Sequence, residues 1–157
     1  MKNLNDTAFL PVIFTGGKKM KSASKNIFIN LPVRDANKST HFFKELGFEF
    51  NPQFSDETTS CMIISDNIFA MIMIEERFKG FSKKEIVDTT TSAEAILSFS
   101  AESRDQVDGI VNKALSSGGK SFSEPQDHGF MYIWGFQDLD RHLWEVAYMD
   151  ESAINQE

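Results

Sequence analysis

Ten residues near the C-terminal end constrain the fold of this chain more than any other stretch: Gln137-Asp138-Leu139-Asp140-Arg141-His142-Leu143-Trp144-Glu145-Val146. A hydrophobic strand, Met131 to Phe136, precedes them, and a second, Leu143 to Tyr148, opens inside them. The segment between reads as a tight turn, because an Asp side chain bonds the backbone two residues on. Side chains alternate along a strand, so Leu143, Glu145 and Ala147 share one face and Trp144, Val146 and Tyr148 the other. Glu145 thus sits among apolar neighbours in the middle of a hydrophobic strand. Burying that carboxylate requires a partner, a metal or a hydrogen-bonding ligand.

The rest of the chain repeats one order twice. Ile27 to Leu31 is predicted as a strand closed by Pro32, which cannot donate to a ladder. Asp35 caps a helix from Ala36 to Leu46, ended by Gly47. Strands are expected over Phe48 to Phe54, Cys61 to Ile64 and Ile68 to Glu75, the last apolar on both faces and so covered on both. Residues 76–94 read as a connecting loop with at most one helical turn. Then Ala95 to Ser100 is a strand, and Ser103-Arg104-Asp105-Gln106 is a capping box opening a helix that Gly118-Gly119 ends. Lys120 to Ser123, Met131 to Phe136 and Leu143 to Tyr148 complete a second β-α-β-β-β. The two caps, Asp35 and Ser103, stand 68 residues apart, and the repeat is one of pattern more than identity.

The Asp138-Leu139-Asp140-Arg141 turn with Glu145 behind it resembles the Asp-Pro-Asp-Gly-x-x-hydrophobic-Glu ending of the vicinal-oxygen-chelate superfamily. That superfamily includes glyoxalase I, extradiol dioxygenases and the fosfomycin- and bleomycin-resistance proteins. Leu139 stands where the family usually has Pro, and Arg141 where it has Gly, so Arg141 either takes a strained turn or marks a different one. The resemblance covers residues 26–149 and implies an α+β fold. Two βαβββ modules, residues 26–75 and 95–149 joined by linker 76–94, would form a cupped mixed sheet with helices packed outside and a ligand in the cup. It also implies metal ligands on the first, fourth, fifth and eighth strands. In this chain those positions fall on Phe28, Met73 (Glu75 after a slip of two), Glu94 and Glu145. Phe28 cannot coordinate a cation, and the Met73 thioether is unsuited to hard divalent ions. The expectation is therefore a binding protein of the bleomycin-resistance type, without a catalytic metal, holding a small organic molecule in an apolar cup. Phe28, Asn30, Phe69, Met71, Met73, His128 and Glu145 are the expected contacts, and an apolar, Met-rich lining adapts well to small hydrophobic ligands. The alternative is a divalent-metal glyoxalase-like lyase, isomerase or dioxygenase, with Glu145 as ligand or acid/base and Glu94 as second ligand. Without a metal, Glu145 either hydrogen-bonds the ligand or is a structural carboxylate bonded to backbone or Asn30. A homodimer is expected, with the cup built within one chain or across two.

Bulk properties narrow the partners. A net charge of −7, with four Arg in 157 residues, argues against nucleic acid or an anionic membrane. No apolar run approaches the ~18 residues of a membrane span. The lone Cys61 fits a reducing cytoplasm and reads as a small buried hydrophobe. Residues 1–25 read as an N-terminal extension that the domain of residues 26–150 can dispense with, Met20 being a plausible start. The competing expectation is that Phe9 to Phe14 docks on a sheet edge or neighbouring subunit. Residues 151–157 are a tail.

Overall fold

Two short sheets, each carrying one helix on its inner face, share a single core. The computed structural model describes residues 24–154. Its first module runs β1 (Ile27–Val33), α1 (Ala36–Glu45), β2 (Glu49–Asn51), β3 (Thr59–Ser65) and β4 (Ile68–Ile74). Its second runs β5 (Ile96–Ala101), α3 (Arg104–Ser116), β6 (Lys120–Ser121), β7 (Gln126–Asp127), β8 (Met131–Gln137) and β9 (Leu143–Met149). Between them lies α2 (Glu75–Ser82), and after β9 comes one turn, α4 (Glu151–Ile154). The sheet orders are β1-β4-β3-β2 and β5-β9-β8-β6, with β7 pairing β8. In both, the first strand pairs parallel to the last while the others run antiparallel.

The helix starts lie where the caps place them: Asp35 accepts from the Lys38 N–H, and Ser103 from the Gln106 N–H. Gly47 and Gly118 follow the helix ends at φ of 98° and 105°, a region open to glycine at no steric cost. Pro32 is tolerated inside β1 because β1 is the sheet edge. β2 is shorter than expected: Pro52 starts a 3-10 turn over Pro52–Phe54, since its ring fixes φ and removes a donor. The linker departs most from the sequence reading. Residues 75–82 form two full turns of helix, ended by Lys83 at φ 56°.

The core sits between the modules. Phe43 meets Trp144 edge-on at 5.1 Å, Phe48 meets Phe99 at 5.4 Å, and Phe136 stacks on Trp144 at 6.4 Å. Phe42, Phe43, Ile72, Val107, Val111, Phe136 and Trp144 are essentially solvent-free in one continuous cluster. The nine strands form two sheets, one per module, and the cluster covers one face of each. On the edge strands β1 and β5, Phe28 and Ile96 are half exposed. Residues 1–23, including Phe9 to Phe14, lie outside the described residues. Among those described, no helix is long and apolar enough to cross a membrane.

Candidate functional site

The aspartate turn is a clasp between modules. Asp138 Oδ1 accepts the N–H groups of Asp140 and His142 at 2.9 and 3.0 Å, and Oδ2 accepts the Trp144 indole N–H at 3.0 Å. Burial pushes its carboxyl above the usual carboxylate range, against the pull of His142 and the indole N–H. Asp140 reaches into the first module. Its Oδ1 accepts the Arg34 backbone N–H and Nε at 2.9 and 3.0 Å, and its Oδ2 accepts the Ser39 hydroxyl at 3.1 Å. His142 is buried, with Nε2 2.7 Å from the Pro32 carbonyl, which can only accept, so that nitrogen carries the proton. Arg141 takes the left-handed conformation at φ 68°, which settles the alternative left by the missing glycine.

The residues expected to share one cup are divided between two faces. In the first module the ladder aligns Phe28, Asn30 and Pro32 of β1 with Phe69, Met71 and Met73 of β4, and Thr59 of β3 with Met73. All lie on the concave face, and Phe28 stacks on Phe69 at 5.1 Å. Helix α2 lies beside the far end of this face, and the two line an open hollow of about 550 Å³. Met71 and Met73 form its floor, Phe78 its side and Phe81 its rim, and Asn30, Thr59, Arg77 and Ser82 its polar margin. Phe78 and Phe81 are three apart and so fall on one side of the helix. Arg77 is already engaged, 2.6 Å from both Asp56 Oδ2 and Thr58 Oγ1. The Thr58 hydroxyl and N–H, with that guanidinium, hold the Asp56 carboxyl well below the usual range, so Arg77 stays tied down across neutral and mildly acid pH.

Glu145 lies on the concave face of the second sheet, half-buried, and accepts a 2.7 Å hydrogen bond from the Ser98 hydroxyl. The expected alternative partner, Asn30, belongs to the other module, is exposed, and has no side-chain hydrogen bond to the described residues. Beside Glu145 the ladder places Gly135, and a Cβ there would meet the Phe122 ring at 2.4 Å. Phe122 thus fills the second concave face where the first is hollow. His128 is exposed on the β7–β8 turn, its Nε2 3.4 Å from Gln126 Oε1. Cys61, buried on β3, has its thiol pushed up by burial and stays protonated.

A metal does not fit this donor set. Glu94 is not beside Glu145: its carboxylate lies 3.6 Å from His142 Nδ1, behind the sheet, because Glu94 precedes β5 and follows the linker over the clasp. Phe28 offers a ring face, Met73 is buried, and Glu75 opens α2. Among the described residues no three His, Cys, Asp or Glu side chains gather as a cation would need.

Comparison with known proteins agrees with this architecture. Residues 25–65 match the family model described as bleomycin resistance protein-like N-terminal. No curated protein matches the chain significantly. Among solved structures, a hypothetical protein from S. aureus is 28% identical with a TM-score of 0.69, over 81% of this chain and 95% of that one. A protein from Agrobacterium tumefaciens, solved by NMR, is 24% identical with a TM-score of 0.63, over 80% and 98%. A glyoxalase/bleomycin resistance protein/dioxygenase family enzyme from Burkholderia phytofirmans is 16% identical with a TM-score of 0.65, over 78% and 96%.

Proposed function

We propose that this chain, a member of the vicinal-oxygen-chelate superfamily, binds a small aromatic molecule in the cavity beneath α2 and needs no catalytic metal to do so. One observation carries the reading: an open hollow of about 550 Å³, within the range of small-molecule sites, lined by Met71, Met73 and Phe78 with the largely exposed Phe81 at its rim. Thioether and aromatic walls favour a flat apolar ligand through dispersion and sulfur–ring contacts. The position of Glu145 adds a second part to the proposal. The exposed concave faces, with Ile27, Phe28 and Ile96 each half or more exposed, suit association with a second copy. In such a homodimer Glu145 of the partner subunit completes the wall opposite Asn30 and Met71. Sedimentation should then give about twice the chain mass of 17.8 kDa. A monomer at micromolar concentration would remove Glu145 from the site.

Titration with N-phenyl-1-naphthylamine, a neutral probe that fluoresces in apolar surroundings, tests the main reading. One probe per chain with a micromolar Kd is expected. In parallel, Ni²⁺, Zn²⁺, Mn²⁺ or Mg²⁺ at roughly 100-fold excess should leave melting unchanged, in the native chain and in Glu145→Gln alike. A metal bound with Kd a hundredth of its concentration would add about 2.7 kcal/mol, a shift of several degrees. Such a shift, lost in Glu145→Gln, would replace this reading with a metal enzyme.

A further inference from the structure

We infer that the cavity beneath α2 selects a neutral two-ring aromatic molecule carrying a hydrogen-bonding group at each end, one end read by Asn30 and the other by Thr59. This deepens the reading of that cavity as the ligand site and depends on it. Subtraction of satisfied groups leads there. Of the polar residues in the wall, the Arg77 guanidinium is held by Asp56 and Thr58, and the Ser82 hydroxyl is shared with the Lys84 backbone. The lining holds no carboxylate, and its one cation, Arg77, is paired through Nη1 with Asp56, so no net charge solicits a charged ligand. Two polar groups are left. Asn30 is exposed, and its carboxamide, with no side-chain partner among the described residues, is open to a ligand. Thr59 is only 4% exposed, and its Oγ1 is the one buried side-chain polar atom among the described residues that lacks a hydrogen bond. A buried hydroxyl without a partner is rare in folded proteins and calls for a specific reason, such as an absent ligand.

The register sets the spacing. Asn30 lies across from Met71 and Thr59 across from Met73, on the two strands that flank β4. Two strand spacings across and two residues along separate their Cα atoms by about 12 Å. After a hydrogen bond of about 2.8 Å at each end, roughly 6–7 Å is left between the ligand's polar atoms, near the span of a two-ring aromatic framework. Met71 and Met73 underlie that span, and the rotatable stem of Met73 lets the wall part beside Thr59.

The test compares 2,6-dihydroxynaphthalene with 2-naphthol by calorimetry at pH 7, on the full chain and on Thr59→Val, with N-phenyl-1-naphthylamine as reference. The diol should bind the native chain about tenfold tighter than the mono-ol, the value of one well-placed hydrogen bond. In Thr59→Val the two naphthols should bind alike, with probe affinity kept and melting no lower, since a methyl replaces the orphan hydroxyl. Probe binding without a diol preference, or a preference that survives Thr59→Val, overturns this inference alone. Absence of binding by the probe and both naphthols overturns the parent reading with it.

Discussion

Replacing Trp144 with Ala should cost about 4–5 kcal/mol, near the top of the range for burying and then deleting a large aromatic side chain. The ring is solvent-free and touches Phe43, Phe99 and Phe136, so its removal leaves a cavity walled by both modules. Its N–H also supplies one of three hydrogen bonds to the buried Asp138 carboxylate, and an under-solvated carboxylate adds to the loss. For a domain with a total stability of roughly 5–15 kcal/mol this is a large fraction, and melting should fall by about 10–20 °C. Trp144→Phe keeps most of the packing and should lose about 2 kcal/mol, mainly through the missing donor. Because Phe42, Phe43 and Trp144 belong to one cluster, amide exchange should accelerate in β3 and β4 as much as in β8 and β9. Loss confined to residues 95–149 would mean that the modules hold together by the clasp alone.

The clasp explains why the most constraining stretch of the sequence informs on fold more than on chemistry. A pair of aspartates two apart is read from sequence as a turn, and Asp138 does close it. The partners of Asp140, Arg34 and Ser39, lie more than a hundred positions away. Local spacing carries no signal for such a contact. Helix caps, strand alternation and the glycine stops were legible because each is decided within a few residues: Asp35 with Lys38, Ser103 with Gln106, Trp144 and Val146 against Glu145. Helix α2 was not, because Gly80 in its middle and the serine and lysines after it read as loop. Its tertiary contact is limited to the partly buried Phe78 beside Met71 and Met73, with Phe81 largely exposed. Thr59 was missed for a related reason. The apolar run begins only at Cys61, so polar Thr59 and Ser60 carry no strand signal, although β3 starts at Thr59 and Thr59, Cys61 and Ile63 alternate onto the same face. Which sheet each expected residue joins follows from how two similar modules pack, which sequence shows least. Met71 lies on the first sheet and Glu145 on the second, and the aromatic cluster packs against the opposite face of each.

A carboxylate placed in the floor of the α2 cavity should abolish ligand binding without harming the fold. Met71 is partly buried, so Met71→Glu puts a charge in a partly desolvated wall and should cost about 1–2 kcal/mol, a few degrees of melting temperature, with the chain still folded. A neutral aromatic ligand must desolvate that charge to occupy the site, and affinity for N-phenyl-1-naphthylamine should drop at least ~100-fold, about 2.7 kcal/mol. The comparison that gives this result its meaning is a second apolar hollow of similar size, about 580 Å³, where the β1 edge faces β5. It is lined by Ile29, Ile64, Ile68, Ile96 and Phe99 with three serines, and its walls come from both modules. Ile96 is 51% exposed there, so Ile96→Glu is a milder change than Met71→Glu. If the ligand site lies under α2, Ile96→Glu leaves probe affinity within about twofold while Met71→Glu removes it. The reverse pattern would move the site to the junction between the modules and leave Phe78 and Phe81 beside an empty hollow. Equal weakening by both, with a fall in sedimentation mass, would show that the probe binds where the concave faces of two copies meet.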